Sequence, residues 1–304
     1  NAEEIYGRAQ MILSVSRPLM PEFDLLQEGQ ILLGFFHFAV AHPGKIELML
    51  KRNVTAIAYE TIQTEDGHLP VLTAVSQIAG RMIATTAAQF LQNDQGGHGV
   101  LLGGVPGVPP AKVIVLGAGI VGTNAARVFL DLGADVTILD TDVRKLQNLE
   151  ERGFKAKTIV AYDFNIAKAI KYADVLVGAV LIPGARAPHV VTREMVRMMK
   201  PRSLIMDISI DQGGCVETSR PTSYQNPTYI EEDVIHYCVP NMTGVVARTT
   251  THAFNNAAWP YIQQIAQHGL EGALAAEPAL RHGLNIHNGE IVHPALRGSL
   301  GGEA

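Results

Sequence analysis

The segment AKVIVLGAGIVGTNAARVFLDLGADVTILD, residues 111–140, decides the fold of this chain. It opens with a short apolar run of strand length, Ala111–Leu116, which passes directly into the turn Gly117-Ala118-Gly119-Ile120-Val121-Gly122. Apolar residues then recur at helical spacing as far as Gly133, and a further apolar run ends in Asp140. The order strand, turn, helix, strand predicts one βαβ unit of a parallel sheet.

The turn has the pattern GxGxxG, which becomes specific when a strand precedes it, a helix follows it and an acid comes about 20 residues later. Gly117 allows the tight turn, Gly119 lets the backbone approach a pyrophosphate, and Gly122 lets the helix pack close to the strand. The N–H groups at the helix start favour negative charge. Asp140 can accept hydrogen bonds from an adenosine ribose and would repel a 2′-phosphate, so we predict an NAD site. The alternative is a glycine-rich turn in another doubly wound domain.

The whole chain has the composition of a globular protein that is long enough for two domains. Its 304 residues are 47% hydrophobic and 17% charged. A net charge of −5 gives no footprint for nucleic acid, and no apolar run reaches the ~18 residues of a membrane helix. Cys215 and Cys238 predict free thiols in a reducing compartment, with a disulfide as the alternative. The acidic start lacks a secretory signal, so we expect a cytoplasmic protein, and nothing predicts a metal site.

Strands and helices alternate along the rest of the chain, which predicts a parallel α/β layer in the first part as well. A long helix is predicted over 71–91, and a second, interrupted at Pro260, over Thr250–Gln267. The tail, 268–304, is predicted to alternate short helical pieces with turns. The predicted strands outside the central unit are Met11–Val15, Gln30–Phe36, Thr55–Tyr59, Lys157–Val160, Asp174–Val180, Ser203–Ser209 and Val234–Val239.

Several longer blocks resemble the alanine dehydrogenases, a family related to the NAD-binding part of proton-translocating transhydrogenase. The resemblance runs from residue 1 to about 300, and two of its blocks, LIPGARAP and IDQGG, are long and specific. The blocks are Ile57–Thr61, Ala79–Met82, Leu101–Pro109, the GAGIVGTNAAR unit, Val177–Pro188, Asp207–Gly214 and Tyr237–Met242.

This resemblance implies two Rossmann-like domains with doubly wound parallel sheets, the substrate domain being discontinuous and N-terminally incomplete. We expect the substrate domain at 1–70 and 268–304, linking helices at 71–92 and 250–267, and the NAD-binding domain at 93–249. The resemblance also implies a hexamer. The implied reaction is the reversible oxidative deamination of L-alanine by NAD to pyruvate and ammonia.

Two residues match the catalytic positions of the family. His37 follows an apolar strand and would give acid/base help at the substrate carbonyl or carbinolamine. Asp211, within Ile210–Gly214, would help to deprotonate water or the amine. From local sequence alone, His37 could instead cap a strand, and Asp211 could be a turn residue before two glycines.

Other matched positions belong to the cofactor. Ser76 matches a pyrophosphate-side serine, and Lys145 matches a residue near the adenine ribose. Ordinary core packing is the alternative for each apolar position taken singly. The remaining matches, two on the adenosine side and three at the nicotinamide ribose and ring, are Val180, Leu181, Val239, Asn241 and Met242. Asn241 is also expected to contact the substrate.

The chain departs from the family pattern at the substrate side. Ser16 stands where the family has a substrate-orienting lysine, with Arg17 in place of a glutamate, and the family's arginine-bearing segment has no counterpart before Asn1. Thr243 and Ala247 replace prolines that are frequent in the family. These changes leave three hypotheses: an alanine dehydrogenase or a close relative acting on another small acid, an NAD-binding relative with little or no activity, and, more weakly, a soluble transhydrogenase component.

Overall fold

The computed structural model describes residues 1–300 of the chain. These residues form two compact units, each with its own β-sheet. Unit 1 contains Asn1–Val75, Ile182–Arg186 and the segment from Arg248 onward; unit 2 contains Ser76–Leu181 and Ala187–Ala247. Both sheets are rich in parallel strands, which confirms the predicted α/β class.

The secondary structure follows the predicted alternation over most of the described chain. The strands are β1 Met11–Leu13, β2 Ile31–Gly34, β3 Thr55–Ala58, β4 Lys112–Leu116, β5 Asp135–Asp140, β6 Lys157–Val160, β7 Val175–Gly178, β8 Leu204–Asp207, β9 Thr228–Glu231, β10 Val234–Tyr237, β11 Leu284–His287 and β12 Glu290–Ile291. The helices are α1 Ala2–Arg8, α2 Met20–Phe23, α3 Pro43–Lys51, α4 Pro70–Phe90, α5 Ile120–Asp131, α6 Val143–Glu151, α7 Asp163–Ile170, α8 Arg193–Arg197, α9 Ala247–Ala276, α10 Pro278–Gly283 and α11 Pro294–Leu300.

The sheet of unit 2 has the strand order β6-β5-β4-β7-β8-β10-β9. All neighbouring pairs are parallel except β9 with β10. Strand β4 is apolar on both faces: Val113 and Val115 belong to one buried cluster, and Ile114 and Leu116 to another. Such double burial is expected for a parallel strand covered by helices on both sides. The strand order reverses between β4 and β7, and ligands of open α/β sheets bind at the carboxyl ends of strands at such a reversal.

The sheet of unit 1 has the order β1-β2-β3-β11-β12. The first three strands are parallel, and β11 runs antiparallel to β3. Leu32 and Leu33 of β2 are both fully buried and belong to different clusters, one on each face of the strand. The cluster around Leu33 includes four buried residues of α9 at helical spacing. These residues are Phe254, Ala258, Ile262 and Ile265.

The predicted break at Pro260 is wrong. Helix α9 continues through Pro260 and leaves helical geometry only at Gly269, where φ is 69°. A proline removes one backbone hydrogen bond, but the buried stripe on either side keeps the helix packed. Glycine adopts positive φ at little cost, so the irregularity falls there.

The predicted tail of helical pieces and turns omits a hairpin. Strands β11 and β12 are joined by Asn288 and Gly289, both with positive φ, and pair antiparallel at His287 and Glu290. Asn-Gly is the strongest short signal for a two-residue hairpin turn. A second hairpin, β9–β10, turns at Glu232 and Asp233, also with positive φ, and was likewise not predicted.

Candidate nucleotide site and catalytic residues

The glycine turn of unit 2 has the geometry that a pyrophosphate needs. Gly117 has a φ of 103°, and a Cβ there would overlap the carbonyl of Ala179 at the end of β7. A Cβ on Gly122 would overlap the Gly117 carbonyl, whereas a Cβ on Gly119 would meet only open space. Gly119 also caps α5, and within residues 1–300 no side chain caps the first N–H groups of that helix. The turn therefore offers free backbone donors and room for an anion beside them.

Asp140 ends β5 and is fixed against the glycine turn. Its Oδ2 accepts a hydrogen bond from the Ala118 N–H at 2.7 Å, and its Oδ1 accepts from the Asp142 N–H at 2.8 Å. The Lys145 ammonium on α6 lies 3.7 Å from Oδ2. Each carboxylate oxygen keeps a second lone pair that can accept a ribose hydroxyl. These residues fit a dinucleotide with a free 2′-hydroxyl.

Ser209, which follows β8, forms hydrogen bonds with Val180, which follows β7, and was not predicted to have a role. The Val180 N–H donates to Ser209 Oγ at 3.0 Å, and Ser209 Oγ donates to the Val180 carbonyl at 2.8 Å. Leu181 is 44% exposed, so its side chain is free to cover a ligand. Val239 and Met242, by contrast, are buried within the apolar core of unit 2. Their predicted contacts with the nicotinamide side stay predictions.

Asp211 and Asn241 lie together in unit 2. Asp211 is in a 3₁₀ turn, Ile208–Gln212, that directly follows β8. Both of its carboxylate oxygens accept from the Asn241 N–H, at 3.2 and 3.3 Å. Asn241 has left-handed geometry, and the Tyr224 hydroxyl donates to its carbonyl at 2.6 Å. The structure thus brings the predicted acid and the predicted asparagine into one arrangement.

A second carboxylate, Asp207, lies buried beneath the Asp211 loop. It accepts from the Ser209 N–H at 3.1 Å, the Cys215 N–H at 2.9 Å and the Val216 N–H at 3.1 Å. Burial raises the pKa of this carboxyl, and the hydrogen bonds oppose that rise. Asp207 therefore accepts hydrogen bonds from both ends of the loop that runs from Ser209 to Val216. Sequence reasoning missed this role, although an aspartate before a glycine-rich loop is a usable signal.

His37 lies just beyond β2 in unit 1, in the left-handed conformation with φ of 47°. Its backbone N–H donates to Glu60 Oε1 at 2.6 Å. Its ring is stacked on Phe35, with centroids 6.3 Å apart, and its Nδ1 is buried with no hydrogen-bond partner among residues 1–300. Within residues 1–300 the imidazole makes no hydrogen bond that would cap a strand, and its catalytic role stays a prediction.

Ser16 follows β1 at the same end of the sheet of unit 1. Strands β1 and β2 are parallel with Leu13 opposite Leu33, so the segments carrying Ser16 and His37 both leave the sheet at its carboxyl edge. The Ser16 carbonyl accepts from the Ser14 hydroxyl, and the Ser16 side chain is exposed. No charge is present at this position.

Arg17 lies towards α3. Burial lowers the pKa of Lys45, at the start of α3, and the positive charge of Arg17 lowers it further. The Lys45 ammonium donates to the Pro18 carbonyl at 3.0 Å and lies over the Phe23 ring at 4.7 Å. The charge of Arg17 therefore acts on the Lys45 ammonium.

Ser76, the predicted pyrophosphate-side serine, is half-buried on α4. One helical turn later, Gly80 packs against α5, where an added Cβ would lie 2.7 Å from Asn124 Cβ. Arg81 reinforces this contact with a hydrogen bond from its Nε to Asn124 Oδ1 at 3.3 Å. Helix α4 is thus anchored on the helix that begins at the glycine turn.

Unit 1 contains a cavity of about 810 Å³ at the end of β1. Tyr59 lines it and its hydroxyl is buried without a hydrogen-bond partner in the described chain; burial raises the pKa of this tyrosine. Ser16 follows directly on the segment that forms one wall. The lining residues are Leu13, Ser14, Val15, Tyr59, Phe254, Asn255, Asn256, Trp259, Pro260 and Ile262.

Further features of residues 1–300 concern disulfides, membrane-spanning helices and metal sites. Both cysteines are buried and free. Within this range no helix is both long enough and apolar enough to cross a membrane. No cluster of three histidine, cysteine, aspartate or glutamate residues in the same range could hold a metal.

The fold of unit 2 and its glycine turn define a dinucleotide-binding α/β protein. Two family models identify the family within this class. The alanine dehydrogenase/PNT N-terminal domain matches residues 1–79, and the alanine dehydrogenase/PNT C-terminal domain matches residues 83–294. The chain belongs to the alanine dehydrogenase/PNT family, whose members depend on pyridine nucleotides.

Individual relatives agree with the family models. Alanine dehydrogenase of Methanococcus maripaludis is 50% identical over 297 residues, 97% of this chain and 79% of the relative. Alanine dehydrogenase of Bacillus subtilis is 48% identical, over 97% of this chain and 78% of the relative. A solved L-alanine dehydrogenase matches with a TM-score of 0.87 at 44% identity, covering 100% of this chain and 84% of the other. A transhydrogenase of Sinorhizobium meliloti, 24% identical with a TM-score of 0.74, shares the fold.

Proposed function

We propose that the chain is an NAD-dependent alanine dehydrogenase, which interconverts L-alanine with pyruvate and ammonia. The observation that carries this proposal is the glycine turn, with Asp140 fixed beside it, in a chain whose relatives at 43–50% identity are alanine dehydrogenases. The preference for NAD over NADP rests on Asp140, because its carboxylate accepts ribose hydroxyls and repels a 2′-phosphate.

The cofactor, when bound, supplies the nicotinamide ring that exchanges hydride with the substrate. The chain holds it through the backbone N–H groups of Gly119–Val121 at the start of α5, through Asp140 and Lys145 at the adenosine ribose, and through Ser76 at the pyrophosphate. Val180, Leu181, Val239 and Met242 contribute apolar contact. Asn241, fixed by Asp211 and Tyr224, presents its side-chain amide at the nicotinamide side.

The catalytic groups act on protons. In the direction of deamination, a base takes a proton from the alanine ammonium, and hydride leaves the α-carbon to give an imine. Water then adds to the imine carbon as a proton is removed, and the carbinolamine loses ammonia when its nitrogen is protonated. His37 donates and accepts protons at the substrate oxygen, and Asp211 assists deprotonation of water or the amine. The unpartnered Nδ1 of His37 supports this role.

A second candidate function is an NAD-binding relative with weak or no dehydrogenase activity. Ser16 favours it, because this exposed serine provides no positive charge for the substrate carboxylate. A missing charged group in a dry site lowers transition-state stabilisation by about 2.7–4 kcal/mol, or about 10²–10³ in rate.

One experiment separates these candidates. The purified chain is assayed at 340 nm with pyruvate, ammonia and NADH across small 2-oxo acids, and NADH binding is measured by calorimetry in parallel. Turnover of pyruvate supports the dehydrogenase, and NADH binding without turnover of any acid supports the second candidate. Absence of NADH binding overturns both.

We further propose a cytoplasmic homo-oligomer, a hexamer by resemblance to the family. The two buried, free cysteines support a reducing compartment. Size-exclusion chromatography with light scattering tests the assembly: six copies per particle support the hexamer, and a monomer contradicts it.

A further inference from the structure

The carboxylate of Glu60 lies buried beneath the segment that carries His37. Glu60 is 2% exposed. Its Oε1 accepts from the His37 N–H at 2.6 Å, and the Phe36 N–H lies 3.2 Å from Oε1 and 3.3 Å from Oε2. One buried carboxylate thus binds the backbone N–H groups of two consecutive residues.

Strand register produces this contact. Strands β2 and β3 are parallel neighbours, and their last residues, Gly34 and Ala58, are opposite each other. Phe36 lies two residues after the end of β2, and Glu60 lies two residues after the end of β3, so the two residues are neighbours. The 3₁₀ turn Tyr59–Thr61 keeps Glu60 at the sheet edge. The contact is therefore built into the sheet of unit 1.

The backbone of His37 needs such support. Its φ of 47° and ψ of 53° are left-handed, a conformation that costs free energy in any residue with a Cβ. Such conformations persist where the surroundings hold them in place. A hydrogen bond to a charged acceptor is stronger than one to a neutral acceptor, so Glu60 is well suited to stabilise this geometry.

Nothing else with directional bonding fixes the imidazole. Within residues 1–300 no hydrogen bond reaches the His37 ring, and Nδ1 is buried without a partner. The ring packs on Phe35, which in turn meets Tyr59 edge to face at 5.5 Å. The direction of the ring is thus set by the backbone of His37 and by this packing.

We propose that Glu60 is the positioning residue for His37: its carboxylate holds the left-handed backbone that aims the imidazole. The inference rests on the proposed function, in which His37 transfers protons. Misplacement of a reacting group by about 1 Å can lower a rate about 10²-fold, so loss of this clamp reaches the chemistry even though Glu60 touches no substrate.

Three variants test this role in the full chain. Glu60→Ala removes both acceptors, and Glu60→Gln keeps one acceptor oxygen of the same reach. Gln30→Ala is the matched control, because Gln30 is also buried in unit 1, with its Nε2 donating to the Tyr6 carbonyl at 2.6 Å and the Ala9 carbonyl at 2.8 Å.

We expect Glu60→Ala to lower kcat for the reductive amination of pyruvate about 10²-fold, with little change in KM for NADH. Glu60→Gln should recover most of that loss, and Gln30→Ala should keep the parental kcat. Parental kcat in Glu60→Ala, or an equal loss of kcat in Gln30→Ala, overturns the proposal.

Hydrogen exchange of the peptide over residues 34–41 is the measurement that does not depend on enzymatic activity. Faster exchange in Glu60→Gln and Glu60→Ala than in Gln30→Ala supports the clamp, and unchanged exchange in both Glu60 variants overturns it. If the parent binds NADH but turns over no 2-oxo acid, the proposed function fails while this measurement still decides the role of Glu60. If Glu60→Ala does not fold, hydrogen exchange in Glu60→Gln decides the proposal: faster exchange than in Gln30→Ala supports the clamp, and unchanged exchange overturns it.

Discussion

Backbone N–H groups beside three predicted site residues are each held by a carboxylate. Asp140 binds the N–H of Ala118 in the glycine turn, Asp207 closes the loop of Asp211, and Glu60 binds the N–H of His37. Hydrogen bonds of this charge-assisted kind are strong and directional. They fix loop geometry before any ligand arrives, which is a requirement of an efficient site.

At the residue scale, Asp140 should set cofactor choice. We expect Asp140→Asn to weaken NADH binding about tenfold, since hydrogen bonds to charged groups contribute about 1.5–3 kcal/mol. The same change should lower the ratio of the affinity for NADH to the affinity for NADPH. Calorimetric titration with both cofactors measures this. Asp135→Asn, at the other end of β5, is the control, because Lys157 is the one side chain among residues 1–300 that forms an ion pair with Asp135. Unchanged affinities in Asp140→Asn would contradict the assigned role.

Ser16 should limit the activity. We expect Ser16→Lys to raise kcat/KM for pyruvate by up to about 10², because it adds a positive charge for the carboxylate of the 2-oxo acid. Val15→Lys is the control, because it adds the same charge at the adjacent exposed position. The 340 nm assay measures both variants, and equal gains in the two would refute the role of this position.

How far sequence predicts individual residues depends on what each residue contacts. Asp140 and the three glycines were predictable because their spacing reflects local βαβ geometry. Glu60 was not, because a buried carboxylate is the exception for its residue type and its backbone partners, Phe36 and His37, are distant in the sequence. Asp207 was missed although its partners are local and the glycine-rich loop after it is a usable signal. Roles for His37 and Asp211 came from resemblance and remain predictions.

At the scale of elements, one βα unit consists of strand β4, the glycine turn and helix α5. Two of its glycines have different roles, one in cofactor binding and one in packing. We expect Gly119→Ala to leave thermal stability unchanged, because its Cβ would meet open space, yet to weaken NADH binding at least about tenfold by blocking the pyrophosphate. Gly122→Ala should instead lower the melting temperature, because its Cβ would overlap the Gly117 carbonyl. Differential scanning fluorimetry and calorimetry measure the two effects. The opposite pattern would exclude this division of roles.

Prediction of elements succeeded where periodicity is local and strong. The predicted strand Lys157–Val160 has the observed bounds, and the long helix predicted over 71–91 is α4, one residue displaced. The strands β11 and β12 were missed although Asn288-Gly289 signals a hairpin, because short strands have little periodicity of their own. Continuation of α9 through Pro260 depends on tertiary packing, which overrides the local preference of proline.

At the scale of the whole molecule, acid should destabilise the fold partly through Asp174. Burial alone would raise the pKa of this carboxyl, but hydrogen bonds from His98 and Lys200 and from the Lys112 N–H outweigh burial and lower the pKa to about 2. Its ordinary value is 3.8, so this carboxyl stabilises the fold fully above about pH 4, and that stabilisation disappears as the pH falls towards 2.

We therefore expect Asp174→Asn to lower the free energy of unfolding by about 2 kcal/mol between pH 5 and 7, with the difference from the parent shrinking below about pH 4. Urea unfolding across this pH range measures it. Glu4→Gln, which removes only the exposed pair with Arg8, should cost under about 1 kcal/mol. A difference for Asp174→Asn that grows on acidification would contradict the account.

On the proposed function, a nicotinamide dinucleotide binds on the glycine turn with its adenosine ribose on Asp140. Structure determination of the chain crystallised with NAD tests this most directly. The expected result is a pyrophosphate against the N–H groups of Gly119–Val121, with the ribose hydroxyls on the Asp140 carboxylate. A dinucleotide bound elsewhere, or ribose hydroxyls that do not contact Asp140, would contradict it.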